Sequence, residues 1–408
     1  MNESPLIIKV NLISSGERGN ILSSNIKYDQ INVRKYHYFL LLGLIQKHKR
    51  ISRSKLAELT KMSNTSVGKI VKNLIEDELV IEVGQTEGEV GRRATILEIN
   101  PKGSYIIGVE IELNTINVAL VSLNGEVIVK KHTECDMKQH PEDVLDLISE
   151  EIITLTKQSG SKVANKIIAI GVSMPGLVSW PEGKALMVPQ FHWDNVEVKA
   201  YLERKLDYVV YVDNDVRTVL LAENLFGSMT DFKDCACLYI GSGVGGAVMV
   251  NGEILRGYRN TLGEIGHITL DPNGMLCDCG RLGCLQTFIC SSEIEKQTQR
   301  SIHEVFNAFE QGEDWAVRMI NRARKYLSLA ISNIVCMYNP KAVLLAGPMV
   351  QEFTALVEGV EALSNEHIWS PLKNSFQLIQ PKIGENTGVI GASALVLNEF
   401  LRHTNNEI

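Results

Sequence analysis

The stretch CACLYIGSGVGGAVMVNGEILRG, residues 235–257, decides how the chain is read. An apolar run breaks at a glycine turn, resumes, and turns again at Asn251-Gly252 into a third extended segment. Asn-Gly between apolar runs signals a tight hairpin, because both central positions of such a turn need positive φ. The same triplet occurs earlier. SYIIGVEIELNTINVALVSLNGEVIVKKHTE, residues 104–134, reads as three strands with Asn124-Gly125 in the second turn. After it come a helix over 141–158, a buried strand KIIAIGVSM (166–174), a Pro-Gly loop, a helix over 196–205, the strand YVVYVDND (208–215) and a helix over 216–227. The second triplet is followed by helices and the strand AVLLAG (342–347). That order argues an α/β fold. The repeated opening argues an internal duplication over residues 103–400, two α/β lobes with a ligand cleft between them.

The 408 residues are 45% hydrophobic and 22% charged, values that allow a large core and several domains. No run of eighteen apolar residues is present, so no membrane insertion is expected. MNESPLIIKVNLISSGERGN lacks the basic start and long apolar run of a secretory leader. The expected location is therefore the cytoplasm, where thiols stay reduced, and the eight cysteines read as metal ligands or core thiols before disulfides. The formal charge of −7 is uneven: between Val33 and Asp77 ten Lys/Arg face three acids, a surplus of seven that leaves −14 on the remainder. Such a block points to a polyanion partner, or, more plainly, to a solvated helical face.

Residues 1–32 read as a polar arm and 33–100 as a separate domain. A helix over 36–50 is followed by Ser52 as N-cap of a short helix marked by Leu56 and Leu59. Val67, Ile70, Val71 and Leu74 then form an apolar stripe at helical spacing, leaving Asn64, Thr65, Ser66, Lys69, Lys72 and Asn73 outward. LVIEVG and RATILEIN read as strands around a loop bearing Arg92 and Arg93. This is winged helix-turn-helix logic: the second helix enters the major groove of double-stranded DNA, polar residues reach base edges, and Arg53, Lys69, Lys72 and the wing arginines meet the backbone or minor groove. The competing reading is a small bundle used for dimerisation.

Cys277, Cys279 and Cys284 have the spacing C-x-C-x4-C, with His267 upstream. Three thiolates and an imidazole suit one tetrahedral zinc ion whose positions are all filled by protein, a structural site. Gly280 and Gly283 allow the sharp turns that gather the sulfurs. Cys135, Cys235, Cys237, Cys290 and Cys336 lie in or beside apolar runs and read as core thiols.

The runs IGSGVGGAVMVNGEILRG, GEIGH and CDCGRLGCLQ together resemble the ROK family of sugar-responsive repressors and bacterial sugar kinases. The winged helix ahead of them resembles its repressor branch, which includes N-acetylglucosamine and glucose repressors. The resemblance spans about residues 33–400. It implies two actin-like α/β lobes of the hexokinase-type ATPase architecture, with zinc at the four positions named. It also implies a sugar or sugar-phosphate effector, a homodimer or homotetramer on an operator, and, in some relatives, a sugar-transporter subunit as partner. Asp215 matches the kinases' general base and Asn214 a hydroxyl-binding residue; the alternative is that Asp215 only caps the next helix. Glu264, His267 and Gln286 match sugar-binding positions, Gln286 replacing the usual glutamate, and Gln190 stands where kinases often have asparagine.

Family kinases follow the first strand with D-x-G-G-T-K. Here the aligned residues are Glu110-Ile111-Glu112-Leu113-Asn114-Thr115, with neither glycine nor lysine and an added carboxylate. Like charges about 4 Å apart cost on the order of 4 kcal/mol at an effective dielectric of about 20. Pro348 also stands where kinases have a glycine-rich adenosine contact. These departures predict a regulator with a degenerate phosphate site and Asp215 as a vestigial base. The alternatives are an active sugar kinase that also carries a DNA-binding domain, and a regulator controlled by a transporter protein.

Overall fold

Helix α1 (Gln30–His48) buries Phe39, Leu41, Leu42 and Ile45. Strand β1 (Ile51–Ser52) leads into α2 (Arg53–Thr60), whose start is fixed by Ser52: its Oγ accepts from the Lys55 amide at 3.2 Å. The helix stops at Lys61 in the left-handed region, and α3 (Asn64–Glu76) begins at Ser63, whose Oγ accepts from the Ser66 amide at 3.1 Å. These hydroxyls satisfy amides that a helix start leaves unpaired. Strands β2 (Val80–Gln85) and β3 (Thr95–Ile99) complete a sheet of order β1-β3-β2. The two-residue β1 was not legible in the sequence. Leu59 corrects an expectation: it is 42% exposed, and Leu56 and Ala57 carry the buried face of α2. The computed structural model describes residues 30–85 and 95–402, so Arg92, Arg93 and nearly all of the expected arm lie outside the described residues.

The chain divides into two compact units, 1–225 with 385–408, and 226–384. In the first, β4 (Tyr105–Ile111), β5 (Thr115–Ser122) and β6 (Val127–Glu134) form an antiparallel meander, while β7 (Ile167–Met174) and β11 (Val210–Asn214) run parallel to β4 in the order β11-β7-β4-β5-β6. Helices α4 (Pro141–Ser159) and α5 (Val198–Leu206) join a core that includes Ile107, Val109, Ile148, Ile152 and Leu202. Helix α6 (Asp215–Leu225) follows β11 directly. A small sheet of β8 (Leu177–Val178), β9 (Ala185–Val188) and β10 (Trp193–Val196) was not anticipated.

The helix Thr387–Arg402 returns to this unit and lies on β4 and β7. Gly108 and Gly171 face each other across those strands. A Cβ on Gly108 would fall 2.2 Å from the Val389 carbonyl oxygen, and one on Gly171 1.9 Å from that of Ala392. Only glycine permits so close an approach of helix backbone to sheet. At the far end, Phe400 meets Phe39 of α1 edge to face at 5.0 Å, so the winged helix and the first lobe share one packed unit.

The second unit repeats the pattern. β12 (Cys235–Ile240), β13 (Val244–Val250) and β14 (Glu253–Ile254) are antiparallel, and β15 (Ala342–Ala346) and β16 (Gln377–Ile379) extend the sheet in parallel, in the order β14-β13-β12-β15-β16. Strand for strand this is the first lobe's topology. Cys235, Cys237 and Cys290 are buried as expected. Cys135 is half-buried and packs against the first lobe's core. Exposed Cys336 corrects the core reading of that thiol: it falls on the outward face of the amphipathic helix Asp314–Tyr338.

Candidate functional site

On the winged helix, Asn64, Thr65, Ser66, Lys69 and Lys72 are all exposed on the outer face of α3. Lys72 lies 3.6 Å from Glu76 one turn later, and Lys69 has no ion-pair partner among the described residues. Arg53 is engaged inside the domain, its guanidinium 2.7 Å from Glu82 on β2. Lys69 and the amide-rich start of α3 are therefore the free cationic features of this face.

In the first lobe the loop from β11 to α6 is built on a buried ion pair, Asp213 with Arg217 at 3.1 Å. Asp213 also accepts from the Asn214 amide at 2.8 Å. Asn214 is held at both ends: Nδ2 donates to the Gly176 carbonyl at 3.1 Å, and Oδ1 accepts from the Val216 amide at 3.0 Å. Asn214 thus caps α6, and half-buried Asp215 occupies its first position. Gln190 is exposed on the short 3-10 turn Pro189–Phe191, beside buried Phe191 and Trp193.

A residue that sequence reasoning placed only in the lost phosphate motif proves to be a mostly buried acid. Glu110, at the end of β4, accepts from Asn117 Nδ2 at 2.9 Å, and Asn117 Oδ1 lies 2.9 Å from His132 Nδ1. With Asn117 donating to Glu110, the His132 nitrogen must be the protonated partner. Burial, reinforced by Glu112 and Asp215, pushes the Glu110 carboxyl up to about 7; Asn117 and Lys130 oppose the shift. Exposed Glu112 accepts from the Thr115 hydroxyl at 2.9 Å in the turn that follows.

In the second unit, Glu264 is exposed and immediately precedes the 3-10 turn Ile265–His267. His267 Nδ1 lies 3.6 Å from Cys277 Sγ, Cys279 Sγ lies 3.6 Å from Cys284 Sγ, and the four donor atoms are all within 4.8 Å of one another. A tetrahedral ion with bonds of about 2.3 Å to sulfur and about 2.0 Å to nitrogen puts its ligand atoms roughly 3.5–3.8 Å apart, so the cluster fits such an ion and could hold it. Gly283 has φ +64°, and a Cβ there would lie 1.5 Å from the Asp271 carbonyl oxygen. Arg281 ties the loop to the His267 carbonyl at 2.7 Å, and Phe288 stacks on Tyr326 at 3.7 Å beneath it. With Nδ1 facing the sulfurs, His267 keeps Nε2 for a second partner. Gln286 is 8% exposed, and its Nε2 donates to Asp278 Oδ1 at 2.8 Å, a contact that sequence spacing gave no means of anticipating. The sugar-site candidates are therefore divided, Gln190, Asn214 and Asp215 in the first unit, Glu264, His267 and Gln286 in the second.

Residues 39–81 match a winged helix-turn-helix DNA-binding profile. The chain is 28% identical over 380 residues to the xylose repressor of Bacillus subtilis strain 168, covering 91% of this chain and 98% of that one. A ROK family transcriptional regulator described as a homolog of the E. coli MLC protein superposes with a TM-score of 0.77 at 26% identity, covering 92% and 98% of the two chains. The ROK hexokinase of Thermus thermophilus shares the fold at TM-score 0.64 and 23% identity over 72% of this chain and 99% of its own. No described helix is long and apolar enough to cross a membrane. With the ROK family profile matched over residues 106–399, most of its length, the chain belongs to the ROK family.

Proposed function

We propose that this protein is a sugar-responsive transcriptional repressor acting on carbohydrate uptake or metabolism genes. One observation carries the reading: a winged helix whose second helix exposes Asn64, Thr65, Ser66 and Lys69 is joined to a ROK domain. Asn64 to Ser66 would reach base edges and Lys69 the phosphates, in a dimer presenting two winged helices to half-sites about one helical turn apart or a multiple of it. In the second unit, Glu264, His267 and Gln286 would hold a sugar or sugar phosphate, whose binding would favour one arrangement of the protein over another and so change its affinity for DNA. The His267, Cys277, Cys279 and Cys284 cluster would hold one structural zinc ion per chain. Bound there, the ion supplies positive charge that keeps the thiols ionised and the loop closed. His267, fixed through Nδ1, would then offer Nε2–H to a sugar oxygen, and the rigid turn would set Glu264 to accept from a hydroxyl.

Selection of sheared genomic DNA on the full chain tests the DNA half of this reading. Recovery of a discrete duplex, lost in Lys69→Ala combined with Asn64→Ala, is expected; indiscriminate retention contradicts it.

The glycine-rich turn 241–246, of the kind that can bring backbone amides to nucleotide phosphates, and the half-buried Asp215 favour a second reading, an active sugar kinase. Against it stands Glu112, the carboxylate added at the turn that would face phosphates. ADP release with D-glucose, D-xylose or N-acetyl-D-glucosamine, abolished in Asp215→Ala, would establish the kinase; no turnover is expected.

A further inference from the structure

We propose that Glu78 is a positioning residue for DNA reading: it closes the joint between the winged helix and the first lobe, so that α3 turns with that lobe as one body. This rests on the sugar-responsive reading given above and names the route by which the first lobe would move the DNA-reading helix. Connections between domains are usually where a chain bends, because few contacts cross them. Here the connection is residues 100–104, between β3 and β4, and it is closed by hydrogen bonds. The Asn100 amide donates to the Leu79 carbonyl at 2.9 Å, the Gly103 amide to the Asn100 carbonyl at 3.1 Å, and the Lys102 amide to Asn100 Oδ1 at 3.1 Å.

These residues gather around Glu78. It stands just past α3 with φ +60°, and the amides of Glu78 and Leu79 donate back to the carbonyls of Ile75 and Leu74, both at 2.9 Å. That pair of bonds is the helix ending in which glycine usually takes the left-handed place. Lys61, Asp207 and Gln299 close other helices in the same conformation, so the conformation alone is no signal. What sets Glu78 apart is that its carbonyl and its carboxylate are both held from beyond β3. The carbonyl accepts from Asn100 Nδ2 at 2.7 Å, and Gly103 lies so close that a Cβ there would fall 2.0 Å from it. The carboxylate accepts from Lys166 Nζ at 2.6 Å, which also donates to the Lys102 carbonyl at 2.9 Å. Lys166 immediately precedes β7, and its own carbonyl accepts from the Tyr105 amide of β4 at 2.9 Å. One ammonium thus pins the end of α3, the connection and two strands of the first lobe. An exposed ion pair contributes little to stability, so the effect of this one is geometric. A second attachment lies next to it in the chain. Asp77 accepts from the Tyr38 hydroxyl of α1, and the adjacent Phe39 packs on Phe400. The winged helix cannot pivot about one contact without breaking the other.

Glu78→Gly removes the carboxylate and suits the left-handed turn better, so it separates the joint from stability. The test uses the full chain. Hydrogen exchange over residues 100–105 is followed by mass spectrometry. Affinity for the duplex recovered from sheared genomic DNA is measured with and without D-xylose, D-glucose and N-acetyl-D-glucosamine. In Glu78→Gly and in Lys166→Met that exchange should quicken about threefold or more, while the thermal midpoint of Glu78→Gly equals or exceeds that of wild type. In both, a roughly tenfold sugar response of DNA affinity should shrink to less than about threefold. Lys166→Arg keeps donors for the carboxylate and for the Lys102 carbonyl and should behave as wild type. Gly103→Ala, whose Cβ would force the Glu78 carbonyl away, should reproduce the loss; if it does not fold, the Glu78 and Lys166 variants decide. A full sugar response in Glu78→Gly and Lys166→Met overturns the joint. Indifference of wild-type DNA binding to every sugar overturns the sugar-responsive reading instead, and the exchange comparison then decides the joint: quickened exchange supports it, unchanged exchange overturns it.

Discussion

Glu110 shows what one side chain registers about its surroundings. Its carboxyl sits at about 7, chiefly because it is buried and secondarily because Glu112 and Asp215 lie near. The folded state therefore binds a proton more tightly than the unfolded chain does, and stability falls as pH rises from the ordinary glutamate range through 7. Glu110→Gln removes that penalty. Its thermal midpoint relative to wild type should climb between about pH 4.5 and pH 7.5, with a ceiling of about 3 kcal/mol, and a pH-independent difference would contradict the assignment. Lys69→Ala should lower DNA affinity and reduce the slope of log K against log salt by about 1 if it meets a phosphate. Cys277→Ser should abolish zinc binding and lower the thermal midpoint, checked by metal analysis and calorimetry. The cluster of His267, Cys277, Cys279 and Cys284, which could hold a metal ion, was legible because its three cysteines lie within eight residues and the glycines between them announce the turn. The burial of Glu110, the pairing of Arg53 with Glu82 and the bond from Gln286 to Asp278 depend on partners brought close by folding, and no local pattern encoded them.

Among the elements, the two strand triplets were readable from their Asn-Gly turns, and the capped helices of the winged domain from serine and apolar spacing. The short β1 and the sheet of β8, β9 and β10 were not, since strands of two to four residues carry too little periodicity. The seat of the return helix was hidden for another reason. Gly108 and Gly171 are far apart in the chain and become one flat surface only when β4 pairs with β7. Gly171→Ala should push that helix off the sheet and cost about 1–3 kcal/mol, read as a lower denaturation midpoint. Gly243→Ala, where an added Cβ meets nothing within 4 Å, should stay within about 0.5 kcal/mol of wild type. Equal effects would contradict the packing described.

For the whole molecule, the central claim is that a kinase-like sugar scaffold controls a DNA-reading domain. The contact of Phe39 with Phe400 ties that domain to a helix whose other end lies against Glu110, where a Cβ on Gly388 would fall 1.6 Å from the Glu110 carboxylate. The surroundings of Glu110 and the position of α1 thus meet the same helix within the first unit. The duplication and the order of domains could be read from the sequence because both repeat or switch composition along the chain. The return of residues 385–402 to the first unit could not, because it is a long-range contact. The most direct measurement is the affinity of the full chain for its selected duplex, at fixed salt, titrated with D-xylose, D-glucose, N-acetyl-D-glucosamine and their phosphates. The account predicts that at least one of them changes that affinity tenfold or more, a coupling of about 1.4 kcal/mol. Indifference of DNA binding to every sugar, accompanied by ATP-dependent phosphorylation of one of them, would contradict it.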